Sequence, residues 1–274
     1  MLQWPRKGAR PRWIRRTSRP RNMTAPVASV TVCASGNEVS FSVMNTRYVF
    51  SSGPYDLRVQ LGVDVSENFP PRYNIAPSQP VPIIRETRED GREFALVRWG
   101  FVPGWDKKGE FFKKSVVNIR SESAPEKPSF RNAWRRRRCL FPMNGFYEWV
   151  QEKDGKQPYL ITMGEDMPLF CVAGLWEYWL GENGSEMETA AFLTRESVYP
   201  ITQLHSRMPI YVPPERYADW LDPDETVMAP AEAIIGLPPP PFEFWPVSRR
   251  VNSWKPDDAE LIKPGRDLRQ DSLL

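Results

Sequence analysis

The chain contains one histidine, His205, set in Gln-Leu-His-Ser-Arg-Met-Pro at 203–209. Imidazole is the side chain whose ordinary titration range spans neutral pH, so it is the usual proton carrier. The surrounding pattern reads as the end of a short helix running into a strand, a junction that aims side chains into clefts. A packed or solvated histidine is the alternative, and it stays open on sequence alone. Glu148 lies in Gly-Phe-Tyr-Glu-Trp-Val at 145–150, where strand alternation sets it opposite Tyr147 and Trp149. A carboxyl on so apolar a strand is desolvated and its pKa raised, as a general acid or base requires. An edge-strand glutamate facing water is the equal alternative. Asn118 and Arg120 form an Asn-x-Arg step in an extended segment. Side by side, an amide and a guanidinium suit a phosphate or a sugar. Arg135 to Arg138 make a basic run that reads as a solvated helix face or as a nucleic-acid contact.

Other chemistries find little support. Cys33, Cys139 and Cys171 are scattered, with no Cys-x-x-Cys pair, which argues against a disulfide framework or a zinc site and for a reduced cytoplasmic setting. Cys139 and Cys171 sit in apolar runs and read as core. No Gly-rich phosphate loop and no metal cluster is present, so no cofactor and no metal are expected. No apolar run approaches the roughly 20 residues of a membrane helix, so no membrane partner is expected.

The 29 prolines in 274 residues are about twice the usual share, which predicts short strands, short helices and many turns. Strands are expected at 47–51, 94–102, 139–142, 145–150, 158–163, 169–177 and 190–195, with a hairpin turn over 152–156. Helices are expected at 54–62, 129–138, 214–221 and 228–235. Together they predict an α+β fold: a single domain of mainly antiparallel strands in a barrel-like sheet, with short flanking helices, over 44–265. Residues 1–43 hold eight basic residues and one acid, which leaves 29 basic and 33 acidic residues for the rest. That segment reads as a disordered basic extension or a misassigned start, and 266–274 as a C-terminal tail.

The motifs taken jointly resemble one family. RYNIAPSQPVPIIR (72–85), RWGFVPGW (98–105), NIRSES (118–123), FRNAWRRRRCLFPMNGFYEW (130–149), KQPYLI (156–161), AGLWEYW (173–179), LHSRMPIYV (204–212) and WPVSRRVN (245–252) run in the order of SRAP proteins, the SOS response-associated peptidase family. The resemblance implies a DNA-damage function: binding of abasic sites in single-stranded DNA. In that family an N-terminal cysteine, freed of the initiator methionine, condenses with the ring-opened abasic aldehyde, and its amine and thiol close a stable thiazolidine. The asparagine, glutamate and histidine of the family site fall on Asn118, Glu148 and His205. The family start, Met-Cys-Gly-Arg-Tyr, aligns with Met44-Asn45-Thr46-Arg47-Tyr48, so Asn45 stands at the nucleophile position and the thiol is missing.

The resemblance thus implies an abasic-site crosslinking or lyase enzyme with self-processing peptidase activity, its chemistry altered by the lost thiol. With translation from Met44, the α-amine of Met44 remains able to form an imine. A non-catalytic single-stranded DNA-binding member is the alternative. General proteolysis ranks last, since no Ser-His-Asp or Cys-His order is evident. DNA contacts are assigned to Arg47, Arg120, Arg207 and Trp99, with Trp105 and Arg135 to Arg138 as further candidates. For the tryptophans, base stacking and core packing are even alternatives. A monomer is expected, in the cytoplasm and at the nucleoid in a bacterium.

Overall fold

The computed structural model describes residues 47–65, 69–88, 91–224 and 228–265. The 1–43 extension, the substituted Asn45 and the 266–274 tail lie outside the described residues.

In chain order the strands are β1 (Arg47–Phe50), β2 (Arg72–Ile75), β3 (Pro80–Thr87), β4 (Gly91–Trp99), β5 (Asn118–Arg120), β6 (Arg138–Met143), β7 (Gly145–Glu152), β8 (Gly155–Thr162), β9 (Phe170–Leu180), β10 (Glu186–Glu196), β11 (Arg207–Pro209), β12 (Tyr211–Val212) and β13 (Glu243–Pro246). The α-helices are α1 (Pro54–Leu61), α2 (Arg131–Arg136), α3 (Tyr217–Leu221) and α4 (Ala229–Ile235). One sheet is antiparallel, in the order β13-β8-β7-β1-β2. The other runs β11-β10-β4-β3-β6-β9-β12. Because β9 also pairs with β10, strands β10, β4, β3, β6 and β9 close into a ring, which leaves those strands no free edge. The α+β, mainly antiparallel, barrel-like architecture is the one the sequence predicts. Its exceptions are β4 and β5, which each run parallel to β10.

Side-chain alternation on β7 divides the interior. Phe146 joins the main core with Tyr48, Trp99 and Phe192, whereas Tyr147 and Trp149 join a second cluster with Val247, Val251 and Leu261. Both faces of β7 are therefore covered, and its first five residues are buried.

Several boundaries move for physical reasons. The strand expected at 94–102 is β4 at 91–99, because Gly100 at φ 135° turns the chain in a region L-residues avoid. The helix expected at 129–138 is only Arg131–Arg136. Arg138 instead opens β6, buried, where its guanidinium donates to the carbonyls of Trp134 (2.9 Å), Arg135 (2.8 Å) and Trp220 (2.7 Å), and also to Asp222. It thereby satisfies carbonyls at the ends of α2 and α3 that the helices leave open. The expected helix at 214–221 begins as a 3₁₀ turn, Pro214–Arg216, before α3. Glu152 pairs with Gly155, so the hairpin turn within 152–156 is made by Lys153 and Asp154.

Candidate active site

Glu148 sits midway along β7, on the face opposite Tyr147 and Trp149, and is 1% exposed. Its Oε1 is buried with no hydrogen-bond partner among the described residues. Burial pushes its carboxyl well above the usual range, with no charged neighbour among the described residues to oppose it. Burial therefore favours the neutral acid, a form able to give a proton to a base that reaches it and to take it back. Between the two sequence readings, the water-facing glutamate is excluded by this burial.

Asn118 opens β5 in register with Phe192 of β10, and its Oδ1 is a second buried acceptor without a partner among the described residues. The Phe192 ring meets Tyr48 of β1 at 5.5 Å, and Tyr48 pairs with Phe146 of β7. That chain of contacts links the strand of Asn118 to the sheet of Glu148. The Tyr48 hydroxyl is likewise buried without a partner among the described residues, and burial raises its pKa. His205 follows the three-residue 3₁₀ turn Ile201–Gln203 and precedes β11, where the sequence reads the end of a short helix running into a strand. It is 5% exposed. The amide N–H of Arg207 points at its Nδ1 from 3.0 Å, and Ser197 Oγ donates to its carbonyl at 2.6 Å. Since β10 also pairs with β11, Asn118 and His205 are held by two neighbours of one strand.

The proposed DNA contacts divide. Arg120, at the end of β5, is exposed. Arg47 is part-buried and donates through Nη1 to Asn74 Oδ1 (2.9 Å) and the Val251 carbonyl (3.2 Å). Arg207 is engaged by Glu122 in a two-point pair, Nη1 to Oε1 at 2.6 Å and Nη2 to Oε2 at 2.9 Å, and by the Thr194 carbonyl at 2.6 Å. Trp99 is 0% exposed, packed edge-on to Tyr48 at 5.2 Å, with Nε1 donating to the Val117 carbonyl at 3.2 Å. It presents no face to a base, so core packing replaces the stacking expectation for this residue. Trp105 is 58% exposed beside Phe111, so an aromatic surface is available one loop further on. The arginine run also divides: Arg138 is buried, Arg137 pairs with Glu177 at 2.8 Å, and Arg135 is exposed.

Sequence reasoning missed Glu122 and Tyr48. Both lie inside quoted motifs, Glu122 two residues past Arg120, but acid-to-arginine pairing across 85 residues leaves no local signal. Cys139 and Cys171 are core residues, each 0% exposed. Among the described residues no group of three or more His, Cys, Asp or Glu could hold a metal ion. Among them, too, no helix is long and apolar enough to cross a membrane.

The sequence profile of the SOS response associated peptidase (SRAP) family matches residues 44–254. Abasic site processing protein YoaM of Bacillus subtilis is 33% identical over 207 residues, which span 73% of this chain and 89% of that one. Abasic site processing protein YedK of Escherichia coli is 29% identical over 227 residues, 80% of this chain and 98% of that one. In fold, a crystal structure of a Bacteroides thetaiotaomicron protein superposes with a TM-score of 0.70 at 22% identity, across 80% of this chain and 99% of its own.

Proposed function

The chain belongs to the SOS response associated peptidase family, and from that premise we propose that it processes abasic sites in single-stranded DNA through Asn118, Glu148 and His205. The observation that supports this most is Glu148, a fully buried carboxyl with a free oxygen on a strand packed on both faces. Such a group is costly to the fold unless it serves something else. A second support is the register of β1. Arg47 pairs with Tyr147, so β1 begins in the sheet one residue from Glu148.

The reaction has two forms. In the family form, an N-terminal amine attacks the abasic aldehyde carbon, water leaves, and a cysteine thiol adds to the imine carbon to close a thiazolidine. Here Asn45 offers no thiol, so the reaction stops at the imine. Glu148 would protonate the departing hydroxyl of the carbinolamine and recover its proton from the amine. His205 would move a proton at the sugar, either reversing the adduct or taking the proton whose loss expels the 3′ phosphate. Asn118 would accept a hydrogen bond from the sugar hydroxyl through its vacant Oδ1. Arg120 would hold a flanking phosphate. Arg47 and Arg207 would act with it once their present partners are displaced. The self-processing peptidase step of the family, removal of the initiator methionine, has no cysteine to expose here. A non-catalytic member that only binds single-stranded DNA is the competing reading.

The test is borohydride reduction of a chain beginning at Met44 with an abasic oligonucleotide, read on a denaturing gel. The expected result is a covalent band that requires borohydride and is lost in Glu148→Gln. DNA binding without any trapped band would leave the binding-only reading.

A further inference from the structure

We propose that Glu177 is a positioning residue: it fixes the turn Pro103–Asp106 so that the Trp105 ring is presented, already immobile, to a nucleobase flanking the abasic site. The DNA partner follows from the function proposed above; the mount of the ring does not depend on it. The turn closes through the Asp106 N–H on the Pro103 carbonyl at 3.0 Å, with Gly104 and Trp105 at its centre. It lies just past Phe101, whose N–H bonds the Val116 carbonyl at 2.8 Å, two residues before Asn118. Trp105 meets Phe111 edge-on at 5.3 Å, and the Lys114 ammonium lies 4.0 Å from the Phe111 ring centre. An exposed aromatic face with a cation close by suits an unpaired base and its phosphate.

Glu177 lies on β9 and is buried. Its Oε2 takes Arg137 Nη2 at 2.8 Å, its Oε1 accepts the Tyr178 N–H at 3.1 Å, and the Gly104 N–H faces the same carboxyl. Arg137 comes from the end of α2, so one carboxyl joins that helix, β9 and the turn. Glycine lets the turn come this close: a Cβ at Gly104 would stand 3.3 Å from the Tyr178 carbonyl oxygen and 3.6 Å from Glu177 Oε1. On the other side of Trp105, the Asp106 carbonyl accepts Trp179 Nε1–H at 2.6 Å, and Asp106 Oδ2 accepts the Phe111 N–H at 2.7 Å. Both neighbours of Trp105 are thus tied down while its ring stays exposed. A ring mounted this way has little freedom left to lose on stacking, so more of the stacking energy appears as affinity. Arg137 serves by pairing the buried carboxyl, a packing role without DNA contact.

Two measurements on the full-length protein separate the mount from the partner. In protein labelled with 5-fluorotryptophan, Trp105→Phe identifies the Trp105 line of the ¹⁹F spectrum. Without DNA, Glu177→Ala should shift and narrow that line. Glu177→Gln, which still accepts the two N–H groups, should return most of it. Glu152→Ala, which breaks the exposed pair with Arg249, should leave it in place. The second measurement is fluorescence anisotropy with a single-stranded oligonucleotide carrying a ring-closed abasic analogue, which has no aldehyde to react. Trp105→Ala should weaken binding roughly 5- to 100-fold. Glu177→Ala should weaken it roughly 2- to 10-fold, and should cost nothing further when Trp105 is already alanine. An unmoved Trp105 line in Glu177→Ala, or the same loss of affinity with and without the Trp105 ring, would overturn the positioning role. Unchanged binding in Trp105→Ala would overturn it too and leave the DNA reading intact. Wild-type protein that does not bind the oligonucleotide would sink both together.

Discussion

Arg47 faces Tyr147 across the β1–β7 ladder, so the first described residue of the chain lies one position from Glu148. Tyr147 is itself fixed, its hydroxyl donating to the Tyr73 carbonyl at 2.8 Å. Arg47 is clamped by Asn74 and Val251. The entry of the chain into the sheet is therefore rigid where a reactive terminus would need to meet a proton donor.

Glu148 makes stability depend on pH in a definite sense. Its folded-state pKa is raised by burial above the ordinary glutamate value of about 4.5, so the folded protein binds more protons than the unfolded chain above that pH. The stabilising contribution of the neutral acid is present below about pH 4.5 and is lost as pH rises toward the folded value. Urea unfolding of wild type and Glu148→Gln from pH 5 to 9 should show their difference growing against the wild type, by up to about 1.4 kcal/mol per pH unit. Parallel pH profiles would mean that the carboxyl is charged in the fold.

Restoring the family start should rescue the durable adduct. A chain beginning Met-Cys-Gly in place of Met44-Asn45-Thr46 regains a thiol beside the amine. It should crosslink abasic single-stranded DNA in a form that survives heating, while the unaltered protein gives no such band. The denaturing gel decides, and a heat-stable band from the unaltered protein would refute the stated need for the thiol.

Arg120 is exposed beside the candidate site and should contact phosphate directly. Arg120→Ala should weaken binding to single-stranded DNA and flatten the dependence of log affinity on log salt by about 0.7. Fluorescence anisotropy at several salt concentrations measures this slope. An unchanged slope would place the DNA path elsewhere.

Trp99 and the arginine run should respond as packing, not as DNA contacts. Trp99→Ala removes a wholly buried ring and should cost about 3–5 kcal/mol of stability. Arg138→Ala strips the donor from the carbonyls of Trp134, Arg135, Trp220 and Asp222, each costing about 1–3 kcal/mol when left unsatisfied. Arg135→Ala, on the exposed side of α2, should stay within about 0.5 kcal/mol of wild type. Urea midpoints separate the three variants.

Local sequence determined the elements and the family. Proline content, alternation in 145–150 and turn residues at 152–156 fix short antiparallel strands, because strand period and turn chemistry act over a few neighbours. The same local information named Asn118, Glu148 and His205, since each stands out from the residue types around it. What it did not determine was their surroundings. Glu148 is buried because β7 is covered on both faces, by partners as distant as Tyr48 and Leu261. Trp99 belongs to the core because Tyr48 and Phe192 close over it. Arg207 is held by an acid 85 residues away. Whether a side chain meets water, another charge or nothing depends on strands that the chain brings together only on folding, and that decision belonged to the tertiary structure.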